Sequence, residues 1–131
     1  MKVNIKKLIV KKDDRGWLAE IIRQEDVNSK FGQILITTAL PGKIKGNHYH
    51  KRKKEWYCVI KGKGLLRLKD LKTGKVKDLI LDSDDLKLVE IPLNVVHAIR
   101  NVGSQELYLL AYVSESFDLQ DPDTYYLEAI L

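Results

Sequence analysis

Three histidines occur in the 131 residues, and two of them, His48 and His50, are separated by a single residue. In an extended stretch, residues two apart project to the same face, so both imidazoles would be presented together. Neutral imidazole nitrogens held at fixed geometry suit a transition metal. Glu55 follows at the head of the run Glu55-Trp-Tyr-Cys-Val-Ile60, and His97 comes later in Ile91-Pro-Leu-Asn-Val-Val-His97. All the histidine in the chain can thus be assigned to one site with one carboxylate added. An H-x-H pair alone also fits surface groups, and a solitary glutamate is ordinarily solvated. The spacing has to separate these readings.

The elements that would position these residues are short and extended. Runs rich in β-branched and aromatic residues recur at Leu8–Val10, Trp17–Ile22, Gln33–Ala39, Trp56–Ile60, Leu65–Leu68, Val76–Ile80, Leu86–Ile91, Val96–Ile99 and Leu107–Val113. Turn signals such as Asp13-Asp14-Arg15-Gly16, Pro41-Gly42 and Lys72-Thr73-Gly74 separate them. This rhythm predicts an all-β sandwich or barrel. Helical periodicity is weak: one turn is expected within Gln24–Lys30 and another after Ser116. No repeat or linker divides the chain, so residues 1–131 are expected to form one domain.

Composition narrows the function classes. With 44% hydrophobic and 31% charged residues the chain can bury a sizeable core, and the formal charge is +5. The basic residues are spread along the chain without a nucleic-acid-binding motif, which argues against DNA or RNA. No apolar run approaches the roughly 18 residues of a membrane span. The short apolar stretch near Met1 does not make a signal peptide, and the single Cys58 excludes an internal disulfide; both point to the cytoplasm.

The segment Gly42-x5-His48-x-His50-x4-Glu55-x6-Gly62 resembles the first motif of the cupins at all five of its fixed positions. Pro92-x4-His97-x3-Asn101 resembles their second motif, with Leu86 and Asn94 standing where glycines are usual. Asn is the residue after glycine that best tolerates positive φ, so Asn94 is expected to keep the turn. The resemblance implies a jelly-roll β-barrel in which His48, His50, Glu55 and His97 bind a divalent metal. Zinc is the first expectation, with iron, manganese or nickel as alternatives.

Within the cupins, Asp13-Asp14-Arg15-Gly16-Trp17-Leu18-Ala19-Glu20 looks like the entry segment of the dTDP-4-dehydrorhamnose 3,5-epimerase group. In that group an Arg and a Glu spaced like Arg15 and Glu20 contact the nucleotide of a neighbouring subunit, which implies a homodimer. The stretches Gly46-Asn-His-Tyr-His50, Val89-Glu-Ile-Pro92, His97-x-Ile99-x-Asn101-x-Gly103 and Phe117-Asp118 through Glu128 are still more similar to another group. That group is the cupin domain of bifunctional enzymes that epimerise and reduce UDP-4-keto sugars of capsule biosynthesis. A reductase domain precedes the cupin there, so a separate reductase is a possible partner here.

The resemblance implies metal-dependent epimerisation at carbon 3 of a nucleotide-linked 4-keto-6-deoxysugar. The anionic diphosphate would meet Lys45, Lys51 or Arg52, and the basic run Lys51-Arg-Lys-Lys54 could attract it further. Metal-free relatives use a histidine at the position of His48 as base. Here His50, Glu55 and His97 are all present, which favours His48 as a ligand. His48 and His50 nevertheless stay among the candidate catalytic groups, together with a phenol from Tyr49, Tyr57, Tyr108 or Tyr112, with Tyr112 preferred. Phe117 lies near the relatives' tyrosine acid, which favours a single inverted centre. Asp121-Pro-Asp-Thr124 reads as a turn. Competing readings are an Fe(II) dioxygenase, a sugar 3,4-ketoisomerase and a non-catalytic sugar- or nucleotide-binding cupin.

Overall fold

A computed structural model describes residues 1–28 and 31–131. Its strands are β1 (Ile5–Lys7), β2 (Val10–Asp13), β3 (Gly16–Ala19), β4 (Gln33–Ala39), β5 (Ile44–Tyr49) and β6 (Glu55–Lys61). They continue with β7 (Lys63–Asp70), β8 (Val76–Asp82), β9 (Lys87–Ile91), β10 (Val95–Asn101), β11 (Leu107–Val113) and β12 (Tyr125–Tyr126). Among the described residues a single helical turn, α1, covers Gln24–Val27. Two five-stranded sheets, ordered β1-β9-β6-β11-β4 and β12-β5-β10-β7-β8, are joined by strands that alternate between them. That alternation makes the expected all-β jelly roll. Among the described residues, no helix is long and apolar enough to cross a membrane.

The core lies between the sheets. Tyr57, Val59, Leu66, Leu68, Val89, Ile91, Ile99, Leu107 and Leu109 pack there, contributed by both sheets. The outer face of the first sheet is covered as well. Trp56, Cys58, Leu88 and Tyr112 project outward from it and pack with Leu86, just before β9, and with Leu8, Ile21, Ile22 and Val27 of the N-terminal segment. Burial on both faces explains why β6 reads as a continuous apolar run rather than an alternating one.

Several boundaries differ from the sequence expectation. The helix stops at Val27 because Asn28 adopts a left-handed conformation (φ 41°) and its N–H closes onto the Gln24 carbonyl; the expected end of this turn, Ser29 and Lys30, lies outside the described residues. The turn expected after Ser116 is not helical. Its chain instead forms β12, which pairs antiparallel with β5 through Tyr125–Tyr49 and Tyr126–His48. Asn94 does adopt positive φ (59°). Leu86, in a glycine position of the motif, is buried beside Leu8, whose N–H it accepts at 2.9 Å.

Asn101 secures the β10–β11 turn. Its fully buried amide donates to the carbonyls of Ala39 (2.8 Å) and Gln105 (2.7 Å) and accepts from the Gly103 N–H (2.9 Å). Asn101→Ala would leave those groups without partners inside the fold. A loss of about 2–4 kcal/mol in unfolding free energy is expected from urea titration, and a change under about 0.5 kcal/mol would mean that water replaces the amide at no cost.

Candidate metal and substrate cavity

A backbone irregularity places the first histidine pair. Between β5 and β10 the register passes from His97–His48 to Ala98–Gly46, which leaves Asn47 as an extra, bulged residue with φ 60°. Gly46 lies against β10 so closely that a Cβ there would sit 2.7 Å from the His97 carbonyl oxygen. The Asn47 side-chain oxygen accepts the Ile130 N–H at 2.8 Å, which ties the end of the chain to the bulge. His48 stands on β5, His50 one residue beyond it, Glu55 at the start of β6 and His97 on β10. One donor atom from each of the four lies within 4.8 Å of the others. The two sheets thus bring together residues separated by up to 49 positions.

The donors are oriented from behind. His50 Nδ1 lies 2.8 Å from the Asp123 carbonyl and His97 Nδ1 lies 3.1 Å from the Val95 carbonyl. A carbonyl oxygen only accepts, so each Nδ1 carries the proton and, in the neutral ring, each Nε2 turns a lone pair inward. Both lone pairs face Glu55 Oε1: His97 Nε2 is 3.3 Å away and His50 Nε2 is in contact. These three atoms are buried and, among the described residues, have no conventional hydrogen-bond partner. Two lone pairs directed at a carboxylate oxygen repel unless a positive charge lies among them. A proton on either ring would supply it. One divalent cation would satisfy all three atoms and take His48 as a fourth ligand, so the residues fit the group that the cupin resemblance implies.

Electrostatics agree with ligand roles. Burial raises the Glu55 carboxyl, but where the His50 and His97 rings carry protons on Nε2 their hydrogen bonds and charge outweigh it and hold Glu55 well below the usual carboxylate range. His48 is depressed to about 4, first by burial and then by the neighbouring His97 and His50. A neutral imidazole that resists protonation is a good metal ligand and a weak base at neutral pH.

The same cavity is lined by Lys45, Lys53, Tyr57, Phe117 and Tyr126. Lys45 therefore stands where a substrate-binding cation was expected, with Nζ 3.1 Å from Thr37 Oγ1. Arg52 does not line the cavity: its guanidinium is taken by Glu115 (2.8 Å) and Asp121 (3.1 Å). Arg15 and Glu20 do not reach it either; they pair with Asp13 and Arg23 in the N-terminal segment.

Tyr112 requires correction as a catalytic candidate. Its neighbours Ala111 and Val113 face the interior, so alternation turns Tyr112 to the opposite face of the sheet. There it packs at 5.5 Å from Trp56 and 6.1 Å from Phe31, centroid to centroid. Tyr49 stacks on Tyr125, and Tyr108 lies under the Lys61 ammonium. Tyr57 is buried edge-on to His97. The phenol at the cavity mouth is Tyr126, whose ring lies 5.7 Å from His48. Only the strand pairing of β12 with β5 brings it there, and nothing in its local sequence announces that pairing.

The segment Asp121–Thr124 is more than the expected turn. Asp123 is buried with φ 49°, and its carboxylate accepts the N–H groups of Lys51 (3.2 Å), Arg52 (2.9 Å) and Lys53 (2.8 Å). Burial works against this charge, but the three donors outweigh it and hold the carboxyl below its ordinary range. The same residue orients His50 through its carbonyl.

Residues 11–125 match the polysaccharide biosynthesis C-terminal domain family. The chain is 33% identical over 113 residues to the UDP-2-acetamido-2,6-beta-L-arabino-hexul-4-ose reductase of Pseudomonas aeruginosa, covering 86% of this chain but only 29% of that protein. It is 31% identical over 127 residues to the spore coat polysaccharide biosynthesis protein SpsL of Bacillus subtilis, covering 92% of this chain and 84% of SpsL. The crystal structure of ChmJ, a 3'-monoepimerase from Streptomyces bikiniensis in complex with dTDP-quinovose, superposes with a TM-score of 0.84. That match covers 95% of this chain and 69% of ChmJ at 15% identity, which establishes a shared fold.

Removing the Asp123 carboxylate should loosen the loop between His50 and Glu55. In Asp123→Ala, zinc affinity measured by competition with a chromophoric chelator should fall by about 10–100-fold. An affinity equal to wild type would show that the loop holds its shape without Asp123.

Proposed function

The chain belongs to the polysaccharide biosynthesis C-terminal domain family, and from that premise we propose that it epimerises carbon 3 of a nucleotide-linked 4-keto-6-deoxysugar in surface polysaccharide biosynthesis. The observation that carries this reading is the cavity. Three imidazoles and a carboxylate converge inside it, with two lysines and two phenols on its walls. The name of the Pseudomonas relative specifies a UDP-linked hexul-4-ose, a 4-keto sugar, and that of ChmJ specifies epimerisation at one position.

The chemistry follows from the substrate. A proton on the carbon next to a ketone is weakly acidic, because its loss leaves an enolate. Inverting that carbon requires removal of the proton from one face, stabilisation of the enolate oxygen and return of a proton to the other face. His48, His50, Glu55 and His97 would hold a divalent metal, which when bound supplies Lewis acidity toward the 4-keto oxygen. Held neutral, His48 is assigned to ligation. Tyr126 is assigned to proton movement, because its phenol borders the cavity beside His48. Solvent at the open mouth supplies the opposite face. Lys45 binds the diphosphate at the rim, and Arg15 and Glu20 serve a nucleotide bound by a second copy of the chain.

Phe117 lines the cavity with no hydroxyl to offer, consistent with inversion at one carbon rather than two. Its backbone N–H is fixed by the Gln33 side chain at 2.8 Å.

Incubation of the protein with a UDP- or dTDP-4-keto-6-deoxy sugar in D2O should place deuterium at carbon 3, read by NMR. Tyr126→Phe should slow that exchange by about 100-fold or more, while Tyr112→Phe should leave it within about threefold because that ring faces away from the cavity. Absence of exchange with every such sugar would refute the epimerase reading.

A further inference from the structure

Four consecutive basic residues, Lys51 to Lys54, follow His50, and three of them are engaged away from the histidine cavity. The Lys51 ammonium lies 4.3 Å from the Tyr125 ring centroid. Arg52 is bound by Glu115 and Asp121, and Lys54 lies 3.8 Å from Glu90. Lys53 differs. It is only 9% exposed and lines the cavity with His48, His50 and Glu55. Its ammonium is 5.9 Å from the Phe117 ring centroid, and among the described residues no carboxylate lies within ion-pair distance. Glu55, the one carboxylate among the described residues lining the cavity, is turned toward the imidazoles.

The inward course of Lys53 is built into the loop. The single carboxylate of Asp123 gathers the backbone N–H groups of residues 51, 52 and 53, which fixes the peptide from which this side chain departs. The stem of Lys53 is largely buried in the cavity wall, and among the described residues its ammonium has no counter-charge. An anionic group entering the cavity would supply the missing charge, and the low local dielectric would strengthen the contact.

We propose that Lys53 is the anion receptor of the cavity, its ammonium contacting an anionic oxygen of the substrate. The substrate class is taken from the epimerase reading above. Two oxygens of that substrate have the required chemistry, the developing enolate oxygen of the sugar and a diphosphate oxygen. Lys45, on a strand at the rim and bonded to Thr37, is a second and more exposed cation for the latter.

Calorimetric titration with inorganic phosphate tests the receptor without relying on turnover. Lys53→Met should bind phosphate at least about tenfold more weakly than wild type, and Lys53→Arg should stay within about threefold. Lys72→Met, which removes an exposed charge from the β7–β8 turn, should leave the affinity unchanged. Equal affinities in wild type and Lys53→Met, equal losses in Lys53→Met and Lys72→Met, or no measurable binding by wild type would overturn the proposal. Titration with UDP and exchange in D2O then separate the two oxygens. Unchanged UDP affinity with carbon-3 exchange slowed by about 100-fold assigns the enolate oxygen, whereas a loss of UDP affinity matching the phosphate loss assigns the diphosphate. A wild-type protein that never exchanges deuterium refutes the epimerase reading, while the phosphate titration still decides the role of Lys53.

Discussion

The encounter of two imidazole lone pairs with one carboxylate oxygen inside the barrel is the constraint on which the site depends. His50 and His97 cannot turn away, because each Nδ1 is engaged by a backbone carbonyl. Glu55 is fixed by its place in β6, paired with Ile91 on one side and Val113 on the other. The arrangement is stable only with positive charge at its centre, since a carboxylate buried without compensation would be driven to protonate. The surrounding features bear on the same requirement. Gly46 and the Asn47 bulge set His48 opposite His97, and Asp123 supports the loop that connects His50 to Glu55.

The first sheet divides its work between two faces. Inward residues of β6 and β11 build the cavity and the core beneath it. Outward residues, including Trp56, Cys58 and Tyr112, anchor the N-terminal segment from Leu8 to Val27. The rigid face carries the histidines' neighbours, while the mouth is bordered by Tyr126 and Phe117 from the last fifteen residues. Charge is divided in a similar way. Most of the basic residues belong to exposed positions or surface pairs, and only Lys45 and Lys53 line the histidine cavity among the described residues. The net charge of +5 is therefore a weaker guide to substrate than the placement of these two.

The cluster of His48, His50, Glu55 and His97 was legible because the chain has only three histidines and each stands at a motif spacing. The all-β architecture was legible for a similar reason, since turn residues recur between short β-branched runs. Asn94 was readable from the conformational tolerance of asparagine. Other assignments required the tertiary structure. Neither face of β11 is exposed and both carry apolar residues, so its hydrophobic pattern gives no parity, and Tyr112 could not be distinguished from an inward residue. Tyr126 reaches the cavity only through pairing across 78 positions with His48. Lys53 is chemically the same as Lys51 and Lys54, and what separates it is its burial in the cavity wall, on a loop held by Asp123 from 70 residues away. Arg52 looked equally available until Glu115 and Asp121 were brought beside it.

The positive charge at the centre of the barrel can be identified directly by X-ray absorption spectroscopy on the protein loaded with one equivalent of zinc. The account predicts a shell of nitrogen and oxygen donors at about 2.0–2.2 Å, with outer-shell imidazole scattering that decreases in His97→Ala. A spectrum without imidazole scattering, or identical spectra for wild type and His97→Ala, would contradict it and leave a shared proton as the charge that holds Glu55 between His50 and His97.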